Sequence, residues 1–256
     1  MRLVLGGAAF AGRPLPELCR ISRACGIEAV ELWLGGGGLP QGDELAGWLR
    51  TCLDEGVAVA GAAGALDEEQ RTVLWGADDL ARRRVGLGIE RLLHQLAELG
   101  ARWCMLDAPV GRMLPPGEEA AAVARFAREL ARLADVARGL HVELVLCAPG
   151  IDGEDDGADE LLAIARAVDP MEVAVALHPL TGLPVSGSRA VRVLPRLRPR
   201  PWPSPARLRR LLARTASGRE VVLEIPAGEA LPEVVAARLA GMLQALADES
   251  SGPEGT

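Results

Sequence analysis

Residues 92–109, LLHQLAELGARWCMLDAP, contain the end of an amphipathic helix, a glycine turn and a short apolar strand. The apolar residues before Gly100 recur at the spacing of one helix face, whereas the run from Arg102 has the length and composition of a buried strand. A helix that returns the chain to a new buried strand is the connecting half of a βαβ unit. This stretch therefore predicts an α/β fold.

The same alternation extends outward to both ends of the chain. The predicted strands begin near Leu3, Glu28, Val57, Arg102, Val142, Glu172, Ala190 and Val221. The predicted helices cover 14–25, 43–55, 78–99, 118–138, 157–168, 205–216 and 231–247. Eight such strands predict a parallel sheet that closes into a single (β/α)8 barrel over residues 1–247, with a disordered polar tail at 248–256.

One interval interrupts this rhythm. Residues 179–189, PLTGLPVSGSR, contain proline, glycine and serine at the density of a loop. We therefore expect the sixth helix of the barrel to be missing or reduced to a turn.

The composition excludes several kinds of chemistry. All 28 Lys+Arg residues are arginine, so Schiff-base, pyridoxal phosphate and P-loop lysine mechanisms are excluded. A net charge of −7 argues against nucleic-acid binding. The five cysteines form no C-x-x-C pair, which is typical of reduced thiols in a cytoplasmic protein. No apolar run reaches the roughly 18 residues of a membrane span, so we expect none.

Several segments together resemble the xylose-isomerase-like barrels, which include the sugar-phosphate isomerases and epimerases. GIEAVELW (26–33) is similar to the second strand of that family, and REVVLEIPAG (219–228) is similar to its eighth strand. The segments 92–109, 134–149 and 161–179 resemble the helix and strand pairs between them. The resemblance spans roughly residues 1–247 and implies a divalent metal at the C-terminal mouth of the barrel.

The resemblance also implies which residues hold that metal. Glu224 matches the glutamate ligand that ends strand eight, while Cys147 and His178 stand where the family carries glutamate and aspartate. Strand seven, AVRVLPRLRP, contains no histidine at the position of the fourth ligand. Thiolate, imidazole and carboxylate together favour zinc. The alternative is that the metal has been lost, with Cys147 a small buried residue and His178 a hydrogen-bonded pocket residue.

Other residues are expected at the same mouth. Glu31 and Asp107 are expected to end strands two and four, where Glu31 can share acid/base work with Glu224 and Asp107 can bind substrate. Alternatively, both carboxylates bond to loop backbone or to arginine. Arg196 is the candidate for an anionic group and Trp202 for a sugar ring. In the alternative interpretation, the arginines around Arg196 are solvated and Trp202 pins its own loop.

Two functions follow from these expectations. The first is a divergent sugar or sugar-phosphate isomerase or epimerase that moves a proton next to a carbonyl, with Glu224 or Glu31 as the base and His178 or a metal polarising the oxygen. The second is a barrel without catalysis that binds a ligand or assembles with a partner. An endonuclease-IV-like function is disfavoured, because the chain has only three histidines and net charge −7. The expected partner is a small molecule, anionic if Arg196 contributes, and the sequence is compatible with a homo-oligomer.

Overall fold

The apolar runs of the sequence form β-strands that pair in parallel, each with its neighbours in chain order. The strands are β1 (Arg2–Gly6), β2 (Ala29–Trp33), β3 (Ala58–Ala63), β4 (Trp103–Asp107), β5 (Glu143–Cys147), β6 (Val173–Leu177), β7 (Val193–Leu197) and β8 (Glu220–Leu223). β1 also pairs with β8 along its length, so the sheet closes into a barrel. The predicted (β/α)8 barrel is confirmed.

The computed structural model describes residues 2–108, 117–147, 158–168, 173–177, 193–197, 220–223 and 232–250. Its α-helices are α1 (Leu15–Ala24), α2 (Asp43–Glu55), α3 (Glu68–Trp75), α4 (Asp79–Glu98), α5 (Glu119–Gly139), α6 (Ala158–Val168) and α7 (Pro232–Ser250). The predicted loop at 179–189 and the predicted helix at 205–216 lie outside the described residues. None of the described helices is both long and apolar enough to cross a membrane.

Two features differ from the sequence-based expectation, whereas the expected start of β7 near Ala190 lies outside the described residues. α7 continues to Ser250, so residues 248–250 of the tail that was expected to be disordered are helical. The second difference is α3, which the apolar periodicity did not reveal because the helix is short and its first turn is acidic. Its signal was the sequence DEEQ: Asp67 accepts a hydrogen bond from the Gln70 N–H, and the Gln70 side chain accepts one from the Asp67 N–H. This capping box marks a helix start.

Two apolar clusters hold the fold together. The larger one packs the helices against the outside of the barrel. The smaller one takes one or two residues from nearly every strand and fills the interior: Val4, Ala29, Ala60, Ala63, Trp103, Met105, Val145, Ala174 and Val222. Most of these side chains are small, which leaves the space that the single large indole of Trp103 occupies.

A shift in strand register makes room for that indole. Val30 of β2 is opposite Val59 of β3, but the next residue, Glu31, is opposite Gly61. A Cβ at Gly61 would overlap the Trp103 ring at Nε1, Cε2 and Cδ1. Glycine is therefore required here by close packing against the ring rather than by an unusual backbone angle.

The N-terminal end of the barrel is closed by an ion-pair cluster. Glu220 of β8 is buried, pairs with Arg102, and has an Arg2 guanidinium nitrogen 3.9 Å from its Oε1. Arg102 precedes β4, and its carbonyl accepts a hydrogen bond of 2.7 Å from the Glu143 N–H. These charges stabilise the end of the barrel opposite the candidate mouth.

The turn between α5 and β5 contains a strained residue. His141 has φ of 57°, the left-handed region that disfavours residues with a Cβ. We expect His141→Gly to raise the free energy of unfolding by about 0.5–1 kcal/mol, because glycine adopts this conformation without that penalty. Chemical denaturation measures the change. The matched control is His94→Gly at an exposed position of α4, which should lower the free energy of unfolding by about 1 kcal/mol because glycine disfavours the helix. If both variants lose stability, the prediction is wrong.

Candidate active site

The last residues of β4 and β5 meet at the C-terminal mouth of the barrel. Asp107 and Cys147 are register partners, and the Cys147 Sγ lies 3.1 Å from the Asp107 Oδ1. The thiol is also 3.6 Å from the carbonyl oxygen of Leu106. The structure thus brings together one residue predicted to bind substrate and one predicted to bind metal. The thiol proton has a carboxylate oxygen within reach.

Cys147 differs from the other cysteine on these two strands. Cys104 of β4 is fully buried, and burial raises the pKa of its thiol to about 12, so it stays protonated at neutral pH. Cys147 is only partly buried, at the edge of the barrel interior. Of these two thiols, Cys147 is therefore the one that a ligand at the mouth can reach.

An arginine that the sequence reasoning missed completes this group. The Arg71 Nη1 donates a hydrogen bond of 2.7 Å to the Asp107 Oδ2, and both side chains are largely shielded, at 24% and 14% exposure. The Arg71 Nε is buried with no hydrogen-bond partner among the described residues. Arg71 lies on α3, so the capping box that starts this helix is the signal that could have found it. The two oxygens of Asp107 are thus shared between a guanidinium and a thiol.

Glu31 lies deeper in the barrel than the sequence suggested. β2 continues two residues further to Trp33, so Glu31 does not end its strand, and its side chain is only 1% exposed. Its Oε1 accepts a hydrogen bond of 3.0 Å from the Trp103 Nε1–H. The indole N–H thus holds this buried carboxyl group in one position inside the barrel, below the mouth.

Trp33 is a second residue that the sequence reasoning did not select. It ends β2 on the same face of the strand as Glu31, and its side chain is 44% exposed. Its ring lies against Gly64, where an added Cβ would be only 3.0 Å from Cε2. An exposed indole fixed at the rim of a barrel can pack against the apolar face of a sugar ring.

The remaining predicted site residues lie at the edge of what the structure describes. His178 and Glu224 directly follow the last residues of β6 and β8, but they and Trp202 are outside the described residues. Arg196 is a backbone position of β7 whose Cα partner is Val222 of β8. The roles predicted for these residues stay predictions.

A metal ion requires its donor atoms to lie at defined distances from one another. Two ligands of one tetrahedral zinc, a sulfur at about 2.3 Å and an oxygen at about 2.0 Å, lie roughly 3.5 Å apart. The Cys147 Sγ and Asp107 Oδ1 are 3.1 Å apart, so a small movement would place both on one ion. Within the ranges that the structure describes, no three metal-binding side chains converge. The described pair fits zinc chemistry as half of a site.

Comparison with known proteins gives a fold but no sequence match. No protein-family model matches the sequence, and no curated protein sequence matches it. The D-psicose 3-epimerase of Clostridium cellulolyticum H10, solved with D-tagatose, superimposes with a TM-score of 0.68 at 14% identity over 98% of both chains. The chain therefore shares the (β/α)8 barrel fold of that structure.

Two further solved structures share this barrel fold. A xylose isomerase domain protein from Alicyclobacillus acidocaldarius gives a TM-score of 0.62 at 17% identity, over 97% of this chain and 99% of that one. A sugar phosphate isomerase/epimerase from Parabacteroides distasonis gives 0.67 at 12% identity, over 95% and 93% of the two chains. The fold expected from the resemblance is therefore confirmed along nearly the whole chain.

The Arg71–Asp107 ion pair should stabilise the mouth measurably. Because the pair is shielded from water, we expect Arg71→Met and Asp107→Asn each to cost about 1–3 kcal/mol of unfolding free energy. The double variant should lose less than the sum of the two, with a coupling of about 1 kcal/mol. Urea denaturation of the four proteins measures the cycle. Arg138→Met is the control: it removes an exposed ion pair with Asp135 and should change the free energy of unfolding by less than about 0.5 kcal/mol. If the losses from Arg71→Met and Asp107→Asn simply add in the double variant, the two side chains are not energetically coupled and the prediction is wrong.

Proposed function

We propose that this protein is a sugar or sugar-phosphate isomerase or epimerase that moves a proton next to a carbonyl at the C-terminal mouth of the barrel. The observation that carries the proposal is the convergence of Asp107, Cys147 and Arg71 at the ends of β4 and β5. In barrels of this kind the ends of the strands supply the chemistry. The isomerases and epimerases that share the fold are consistent with it.

Each residue has a role in the proposed reaction. Glu224, which follows β8, accepts the proton from the carbon next to the carbonyl, and a second carboxyl group, in its protonated form, donates a proton to the enediolate. Glu31 is this second group, held in one position by Trp103. His178, which follows β6, donates a hydrogen bond to the oxygen on which charge develops.

The remaining residues hold the substrate. Asp107 accepts hydrogen bonds from sugar hydroxyl groups, and Arg71 keeps its carboxylate in place. Trp33 and Trp202 pack against the sugar ring, and Arg196 binds the anionic end when the substrate carries one.

A zinc ion belongs to the metal-dependent form of this proposal. Cys147, His178 and Glu224 would hold it, with the Asp107 Oδ1 near enough to join them or to accept the thiol proton as Cys147 becomes a thiolate. When bound, zinc would polarise the carbonyl oxygen of the substrate. Without it, His178 alone would supply that hydrogen bond.

Solvent exchange tests the proposed chemistry without a known substrate. The protein is incubated in D2O with D-fructose, D-psicose or D-tagatose, and with their phosphate esters, and deuterium next to the carbonyl is measured by mass spectrometry. Proton transfer at this mouth predicts incorporation for at least one sugar, and loss of incorporation in Asp107→Ala. Exchange with none of these sugars contradicts the proposed reaction.

Metal content is measured on the same preparations, purified without chelator. Bound zinc in the wild type that is lost in His178→Ala supports the metal-dependent form of the reaction. The other outcome is deuterium exchange in protein that contains no metal. If added zinc, manganese or cobalt then does not raise the exchange rate, the result supports the form of the reaction in which His178 acts alone.

The second candidate function is a barrel without catalysis that binds a ligand. The observation in its favour is that both oxygens of Asp107 already have partners, in Arg71 and Cys147, as in a structural ion-pair network. Binding of one of the same sugars, measured by calorimetry, without any deuterium exchange would favour this function.

A further inference from the structure

A cleft of about 420 Å³ lies on the outside of the barrel, between α4 and the glycine-rich loop that follows β2. Its wall on the α4 side is formed by Arg84, Gly88 and Arg91, and on the other side by Gly36–Gly38 and Leu39. None of the residues described at the mouth lines the cleft, although Gln70 of α3, which lines it, is adjacent to the Arg71 that reaches Asp107. The inference drawn from it does not depend on the proposed function.

The charge of this cleft is unbalanced. Two arginines line it, and none of its lining residues is acidic. Among the described residues neither Arg84 nor Arg91 forms an ion pair, although the Arg91 Nε donates a hydrogen bond of 3.3 Å to the Leu87 carbonyl. The neighbouring arginines on α4 behave differently: Arg82 pairs with Asp79, and Arg83 lies 3.9 Å from Glu129.

Acidic groups near the cleft are already engaged elsewhere. Glu90 of α4 pairs with Arg132 of α5, on another face of the helix. Asp67 caps α3 through its hydrogen bond of 2.7 Å from the Gln70 N–H. Neither carboxylate forms an ion pair with Arg84 or Arg91, and no acidic side chain of the described residues lines the cleft, although Asp67 packs against Gly36 at its edge.

The cleft is held open by its backbone. Gly88 lies between the two arginines on one helix face, and an added Cβ there would meet nothing within 4 Å. Arg84 and Arg91 are seven positions apart, or about 10 Å along the helix, so both long side chains can reach one ligand. The opposite loop is fixed, because Gln95 of α4 donates hydrogen bonds of 3.3 and 2.8 Å to the carbonyls of Leu39 and Pro40.

We propose that this cleft is a binding site for a phosphate-bearing small molecule. Guanidinium groups bind phosphate through paired, charge-assisted hydrogen bonds, and two of them without a carboxylate partner favour an anion over a neutral ligand. The site takes free phosphate or the phosphate group of a larger molecule. The amides of Gln41 and Gln70 at its edge are suited to hydroxyl groups of the larger molecule.

The test is calorimetric titration of the full chain with inorganic phosphate, D-fructose 6-phosphate and D-fructose, at constant ionic strength. We expect both phosphate-bearing probes to bind and D-fructose to leave this cleft empty. Arg84→Gln and Arg91→Gln should each weaken phosphate binding about tenfold. Gly88→Leu, which fills the cleft from an exposed helix position, should abolish it.

Arg128→Gln is the matched control. Arg128 is exposed on α5, and its Nε donates a hydrogen bond of 3.4 Å to the carbonyl one turn earlier, as the Nε of Arg91 does. Replacing Arg128 with glutamine changes the net charge of the protein by the same amount as either cleft variant. Its phosphate affinity should equal that of the wild type. The proposal is overturned if the wild type binds no phosphate, or if the cleft variants bind it as tightly as Arg128→Gln does.

The two sources of the phosphate group are distinguished by affinity. If D-fructose 6-phosphate binds at least tenfold more tightly than inorganic phosphate, the ligand is a sugar phosphate. If the two affinities are equal, the ligand is free phosphate. Both results support the site. Because binding is measured without turnover, its failure is separate from a failure of the exchange experiment at the mouth.

Discussion

Replacing Gly61 with alanine is expected to lower the free energy of unfolding by about 3 kcal/mol. The added Cβ would overlap the indole of Trp103, a rigid and fully buried ring that has no space to move into. Any displacement of the ring also loosens its hydrogen bond of 3.0 Å to the buried Glu31 carboxylate. Urea denaturation followed by circular dichroism gives the change in stability.

Two further variants show whether the indole is the cause. In a Trp103→Leu background the same Gly61→Ala change should cost less than about 1 kcal/mol, because the leucine methyl groups can turn away from the new Cβ. Gly47→Ala on α2 should stabilise the protein by about 1 kcal/mol, since a Cβ there meets nothing within 4 Å. An equal loss from Gly61→Ala with and without the indole would show that the backbone, and not the ring, requires glycine.

The second large effect is expected at Glu224. If it is the base of the proposed reaction, Glu224→Gln should lower the rate of deuterium exchange by about 10²–10⁴-fold, because the amide cannot accept the proton. The free energy of unfolding should stay within about 0.5 kcal/mol of the wild type, since the amide preserves the size of the side chain.

The strand that precedes Glu224 supplies the control. Glu220 begins β8, four positions before Glu224, and is buried at the N-terminal end of the barrel against Arg102 and Arg2. Glu220→Gln removes a structural charge, so it should lower stability by about 1–3 kcal/mol and leave the exchange rate of the folded protein unchanged. Loss of exchange in both variants, or in neither, would argue against Glu224 as the base.

Much of the barrel could be predicted because its signals are local. The unit at 92–109 contains its own helix face, glycine turn and buried strand, and the structure places α4 and β4 there. α3 was missed because a helix whose first turn is acidic shows little apolar periodicity, although its capping box was present in DEEQ. Arg71 was missed with it, because its importance comes from reaching Asp107, 36 residues along the chain.

The sequence by itself determined the alternation of strands and helices, and with it a closed parallel barrel and the strand ends that carry Asp107 and Cys147. Periodicity and turn residues are properties of neighbouring positions, so they can be read without coordinates. Only the tertiary structure decided that Glu31 is buried against Trp103, that Gly61 gives this ring its space and that Arg71 shares Asp107 with Cys147. These contacts join strands and helices that are distant in sequence. A shift in register between β2 and β3 aligns Glu31 with Gly61. That register depends on which side chains fit together inside the closed barrel, and local sequence does not reveal it.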